Sequence, residues 1–248
     1  MTPLNLQNVT QYVKQNIGDF HQRRLEKVAN IDLSEVLRKK NPYLFKAKNV
    51  TKASEIVESI LSAYISSSEE GVFGNWLERL AIYINDSVFQ GRKAAIPGMD
   101  LDFDRNGERY LVNIKSGPNW ANKDQKKQMI DHFNSARKRL TTSGASTKVK
   151  CVNGCCYGRS NPKTEYKANG SYYKICGQRF WELISGDSTL YIELILPLGH
   201  ESRERNDEFN KAYSELVNRF TKEFLTTYSS ATGEIDWEKL VIFNSGIH

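Results

Sequence analysis

Asp100, Asp102 and Asp104 alternate with Leu101 and Phe103 ahead of Asn106-Gly107, and Asn113 and Lys115 alternate with Val112 and Ile114 beyond it. Asn-Gly between two alternating runs predicts a two-residue hairpin, because a type I′ turn needs positive φ at both central positions. That turn sets the register: Arg105 faces Glu108, Phe103 faces Tyr110, Leu101 faces Val112 and Asp100 faces Asn113. Side chains alternate faces along a strand, so Asp100, Asp102, Asp104, Asn113 and Lys115 share one face. Leu101, Phe103, Tyr110, Val112 and Ile114 share the other. Cross-strand partners stand about 5 Å apart, which gathers Asp100, Asn113 and Lys115 at the open end of the hairpin. Magnesium prefers oxygen ligands and takes one or two carboxylates, completing its shell with water and phosphate. A bound ion acidifies water and stabilises charge on a phosphate, and a nearby lysine can steer or deprotonate the nucleophile. The chemistry these residues suit is phosphodiester hydrolysis. The plain alternative is an exposed hairpin with an ordinary charged wet face, and Leu111, which falls on the charged face, argues against it.

Glu78, in VFGNWLERLAIYI, has Gly74, Asn75, Ala81 and Ile82 as its helical neighbours, none of which can form an ion pair with it. It either reaches solvent at the edge of the apolar stripe or points at something that needs a carboxylate. Charge is uneven along the chain. Of the net +6, residues 1–115 contribute +2, residues 116–179 contribute +10 and residues 180–248 contribute −6. A basic segment this dense, rich also in Asn, Gln, Ser, Thr, Tyr and Trp, is the footprint expected for a polyanionic partner. Cys151, Cys155, Cys156 and Cys176 form no pair of CxxC knuckles, and no histidine lies between 133 and 199, so the spacing argues against zinc. Reduced thiols on a partly buried strand are the expectation.

The elements that must position these residues follow from periodicity. The first 70 residues read as helices, one of them opening at Thr51-Lys52-Ala53-Ser54 and running through Tyr64. SSSEEG at 66–71 reads as a loop, and a second helix follows Gly71 with Phe73, Leu77, Leu80 and Ile84 in one stripe. Beyond the hairpin come a basic helix over 122–140, a strand over 148–160 and a shorter one over 171–177. Residues 178–186 read as a helix ended by Gly186, with Phe180-Trp181 in the core, and LYIELILPLG fits a buried strand or a buried helix equally. A long helix over 203–228 and a short one near Trp237 close the chain. The fold class is α/β: a small sheet flanked by helices, in a single domain 1–248. That domain divides into a helical N-terminal part (1–70), a catalytic core (71–177) and a helical C-terminal part (178–248). No apolar run approaches the ~20 residues that span a bilayer, and MTPLNLQNVTQYVKQ lacks the succession of a signal peptide. The expectation is a cytoplasmic protein.

These residues resemble the PD-(D/E)XK nuclease superfamily, whose pattern is a helix glutamate, an aspartate at the start of one strand and (D/E)-x-K on the next. The chain offers Glu78, then Pro97-Gly98-Met99-Asp100, then Asn113-Ile114-Lys115. Within that superfamily it is most similar to type II restriction endonucleases, through IKSGPNWANKDQ at 114–125, CCYGRS at 155–160 and GQRFWELISGDSTLY at 177–191. The similarity begins near NPYLFKAKNV at 41–50 and extends over most of the chain. It implies a restriction-endonuclease-like core with a small mixed sheet, and magnesium as cofactor. Asp100 becomes the metal-binding aspartate, Lys115 the catalytic lysine and Glu78 the accessory carboxylate and metal ligand, with Asp102 the rival metal ligand. Asn113 stands at the usual acidic position, and an amide is the weaker ligand. The resemblance further implies a homodimer on double-stranded DNA, two-fold symmetry matching a palindrome, and a cognate DNA methyltransferase in the same system. Ser116, Asn119, Trp120, Asn122, Lys123 and Gln125, directly after Lys115, and Arg159 in CCYGRS are the candidate DNA contacts, with a core position as the alternative for Trp120. Two other functions stay open: a structure-selective repair or recombination nuclease, and an inactive DNA-binding relative, which Asn113 favours.

Overall fold

The computed structural model describes residues 2–142 and 148–247. The chain forms two compact units, one from residues 1–17 and 73–200, the other from 18–72 and 201–248. Helices α1 (Leu6–Asn16), α2 (Gly18–Ala29), α3 (Leu33–Arg38), α4 (Pro42–Ala47) and α5 (Ala53–Phe89) lead into strands β1 (Arg92–Lys93), β2 (Leu101–Arg105) and β3 (Glu108–Lys115). Next come α6 (Lys123–Thr142), β4 (Lys148–Cys155), β5 (Tyr166–Lys167) and β6 (Tyr172–Cys176). Helices α7 (Gln178–Ser185), α8 (Leu190–Glu193), α9 (Ile195–Leu198), α10 (Ser202–Tyr228) and α11 (Trp237–Ser245) complete the chain.

In the first unit, six strands among the described residues form one sheet in the order β1-β2-β3-β4-β6-β5. It is mixed: β3–β4 and β4–β6 pair in parallel, the other neighbours antiparallel. The hairpin has the expected register, with Leu101 opposite Val112, Phe103 opposite Tyr110 and Arg105 opposite Glu108. Asn106 (φ 52°) and Gly107 (φ 74°) supply the two positive angles of the turn, and the Asp100 N–H carries the pairing one step further, to the Val112 carbonyl at 2.8 Å.

Each face of the sheet finds a helical cover. The Phe103 ring lies 5.6 Å from Phe89 of α5, and Asn85 of α5 donates to the Ile184 carbonyl of α7 at 2.9 Å. On the opposite face Leu111, Cys151 and Tyr172 are buried against Met129, Phe133 and Ala136 of α6. Leu111 therefore has a core to enter beneath α6, while Asp100 and Lys115, at the open end of the hairpin on the same face, stay partly exposed.

Four local features differ from expectation. Residues 66–71 are not a loop: α5 runs unbroken for 37 residues. Serine and glycine each cost a helix only about 0.5–1 kcal/mol, and here the segment is anchored by buried Ile65 and by Glu69, which accepts from Arg24 Nε at 2.6 Å. LYIELILPLG becomes two short helices rather than one element, and it is not a buried one: Ile192, Ile195 and Leu196 are exposed. The strand expected over 148–160 ends at Cys155, and the two-residue strands β1 and β5 were not foreseen, being too short to show a period.

The second unit is helical. Ile56, Val57, Ile60 and Leu61 of α5, at i, i+1, i+4 and i+5, share a core with Phe209, Leu216, Phe220 and Phe224 of α10. Helices α10 and α11 lie where the pattern predicts. No described helix is long and apolar enough to cross a membrane.

Candidate active site

Asp100 sits just before β2, and its Oδ2 accepts the Ile114 N–H at 2.7 Å. Burial pushes its carboxyl above the ordinary aspartate value, against the pull of that N–H; nearby Glu78 adds to the rise, while Lys115 and Lys93 oppose it. Four expected or newly placed charges, Asp100, Glu78, Lys115 and Lys93, therefore act on one another at the open end of the hairpin. Glu78 projects from α5 and lies 3.6 Å from Lys93 Nζ, its one ion pair among the described residues. Lys115 Nζ stands 5.2 Å from the centre of the Trp120 ring, a cation–π contact that holds the ammonium without neutralising it.

Asn113 enters this cluster as a donor. Its Nδ2 donates to the Gly98 carbonyl (3.0 Å) and to Asp100 Oδ2 (3.3 Å). Its Oδ1 accepts from Nδ2 of buried Asn153 on β4 at 3.4 Å. Asn153 Oδ1 in turn accepts from Trp120 Nε1 at 3.2 Å. The amide oxygen is thus turned toward Asn153, and the amide hydrogens toward the aspartate.

Asp102, the rival for the aspartate role, is engaged elsewhere. Arg109 Nε and Nη2 reach its two oxygens at 2.8 and 2.6 Å in a bidentate pair. The Asp102 side chain is 9% exposed, so removing its partner leaves a charge nearly out of water. Arg109→Ala is expected to lower stability by about 3 kcal/mol, the low end for breaking a buried pair because Arg109 itself is partly exposed, read as a shift in the urea midpoint. Replacing Asp102 by Asn in the same background should recover part of that loss.

The candidate DNA contacts fall into four groups. Ser116, beside Gly74 of α5, and Trp120 are half-buried, and Trp120 also packs on the cluster under α6. Asn119 and Lys123 are exposed. Asn122 and Gln125 form a reciprocal cap on α6: the Gln125 N–H donates to Asn122 Oδ1 at 2.9 Å and the Asn122 N–H to Gln125 Oε1 at 3.0 Å. Arg159 is exposed and lines a separate cavity of about 630 Å³, away from the groove beside Lys115.

Sequence reasoning missed Lys93, Asn153 and His132. Lys93 depends on a two-residue strand, which has no period to detect. Asn153 did leave a signal, as an amide in the middle of the apolar run of β4. His132 lines the groove beside Lys115, on a stretch of α6 that reads as solvated. The four cysteines are free and buried, and burial pushes the Cys151 thiol up to about 11 and Cys155 to about 12.

The donor set suits magnesium. Asp100 Oδ1 receives no hydrogen bond among the described residues, and Glu78 is bound only loosely by an exposed lysine. No group of three or more His, Cys, Asp or Glu side chains placed to hold a metal ion occurs among the described residues. Two carboxylates are nevertheless what magnesium ordinarily takes from a protein.

A mixed sheet between helices, with a helix glutamate, an aspartate at the entry to a strand and a strand lysine at one end, is the architecture of a restriction-endonuclease-like core. The sequence model of one family, described as type II restriction endonuclease EcoO109I, matches residues 7–206. The chain belongs to that family of type II restriction endonucleases, and membership implies an endodeoxyribonuclease. No curated protein matches the chain.

Proposed function

We propose that this chain is a magnesium-dependent endonuclease that hydrolyses phosphodiester bonds in double-stranded DNA at a short specific site. The observation that carries the proposal is Asp100, with one oxygen unengaged, standing within the electrostatic reach of Glu78 and Lys115. Asp100 and Glu78 would hold the ion, which when bound supplies an activated water and offsets charge on the scissile phosphate. Lys115, held over Trp120, orients the nucleophile and meets the phosphate. Asn113 serves as a positioning residue for Asp100 rather than as a ligand, and Asp102, neutralised by Arg109, drops out of the ligand set. Ser116, Asn119, Trp120 and Lys123 remain the proposed DNA contacts, with Asn122 and Gln125 combining contact and capping. The chain works as a single nuclease in the cytoplasm, as a homodimer on a palindrome, alongside a DNA methyltransferase that protects host sites.

Digestion of unmethylated phage DNA of known sequence tests this directly. Discrete fragments with magnesium and none with chelator are expected. Smeared products would favour a structure-selective nuclease instead. No turnover, or unchanged cleavage by Lys115→Ala, would overturn the assignment. A second reading, a DNA-binding relative without turnover, draws on the amide at position 113, and predicts tight metal-independent binding with intact substrate.

A further inference from the structure

A groove of about 360 Å³ opens beside Lys115, between the end of the hairpin and α6. Its polar lining is one-sided: Asn113, Lys115, Gln125, Gln128 and His132, with no carboxylate among the described residues. Neither acidic residue of α6, Asp124 or Asp131, lines it. Gln125 already uses Oε1 to cap the helix, which leaves its amide hydrogens to donate. His132 makes no hydrogen bond among the described residues, and an imidazole in any protonation state offers at least one N–H donor.

The seat of His132 is tied to the segment that leads into Asp100. Gly98 has φ +78°, and a Cβ built there would lie 2.0 Å from His132 Nδ1, so the ring occupies the space a side chain would fill. The carbonyl of the same glycine accepts from Asn113. Only a glycine permits both the backbone angle and this approach, which fixes the imidazole two residues before Asp100. Gln125, Gln128 and His132 recur at i, i+3 and i+7, one face of α6 over about 10 Å at 1.5 Å per residue. A row of donors without an acid, leading away from Lys115, matches a run of sugar-phosphate backbone rather than base edges.

We propose that this groove binds the phosphodiester flanking the cut one on the same strand, with His132 and Gln128 as its ligands. The inference deepens the nuclease reading and rests on it for the position of the cut, but the groove's affinity for backbone can be measured without cleavage. In chelator, binding of a nonspecific 20-bp duplex to His132→Ala and to Gln128→Ala is compared with the parent. Each variant is expected to weaken binding about tenfold, as loss of one charge-assisted hydrogen bond does. Cognate and random duplexes should weaken alike, because phosphate contacts carry no sequence information. If the digest defines a site, a single methylphosphonate at the flanking position should weaken the parent by a similar factor and His132→Ala by little more. Unchanged affinity in both variants, loss confined to one base sequence, or full additivity with the methylphosphonate would overturn the groove assignment. Failure to cut any DNA while the binding losses persist would instead sink the nuclease reading and leave the groove standing.

Discussion

Asp100→Asn is expected to abolish cleavage and, at the same time, to raise the melting temperature of the metal-free protein. The rate should fall by about a thousandfold or more, ~4 kcal/mol, because an amide cannot supply the charge that holds a divalent ion at the reacting phosphate. The stability gain comes from the same burial that prepares the site. The carboxyl's pKa is raised in the folded protein by desolvation and by Glu78. The ionised form therefore costs stability above the folded pKa, and that cost vanishes as pH falls below the unfolded value. An asparagine keeps an acceptor for the Ile114 N–H and carries no charge. Cleavage assays with magnesium, paired with thermal melts in chelator at neutral pH, check both halves. A variant that loses activity and also melts lower would show that Asp100 is a structural residue.

Glu78 should prove far more sensitive than Asn113. With Asp102 paired to Arg109, Glu78 is the second carboxylate acting on Asp100, and Glu78→Gln is expected to lower kcat by about a thousandfold. Asn113 contributes hydrogen bonds to Asp100 and to the Gly98 carbonyl. Losing them in Asn113→Ala should cost about tenfold, as for one or two ordinary hydrogen bonds. The two variants, compared in kcat and in the magnesium concentration needed for half-maximal rate, separate a ligand from a positioning residue. Equal losses would return Asn113 to the ligand set.

The hairpin and its register were legible because a two-residue turn and strict alternation leave one solution, and the observed pairs of Phe103 and Leu101 follow it. The amphipathic helices α6, α7 and α10 were legible for the same kind of reason, one stripe at one period. Contacts that depend on sheet order were not. Asn113 meets Asn153 because β3 and β4 run parallel in register, and no local pattern encodes that pairing. Lys93 reaches Glu78 through an edge strand of two residues. The segment 66–71 was misread because its Ser and Gly weigh as loop residues locally, while Ile65 and the Arg24–Glu69 pair decide in favour of helix. The register alone favours Asp100 over Asp102, because Asp100 lies opposite Asn113 beside Lys115; what it does not show is the cross-strand arginine that engages Asp102.

The scarcity of acidic groups at the hairpin end has a consequence for timing. Two carboxylates and an amide turned the other way leave most of a magnesium shell to water until a phosphate arrives. On the proposed assignment, metal and DNA would promote each other's binding, and by linkage the factor would be the same in both directions. Calorimetric titration of magnesium with and without an uncleavable duplex should return that common factor. Off its target, such an enzyme would idle unloaded, and its hydrolytic capacity would assemble only where there is a bond to cut.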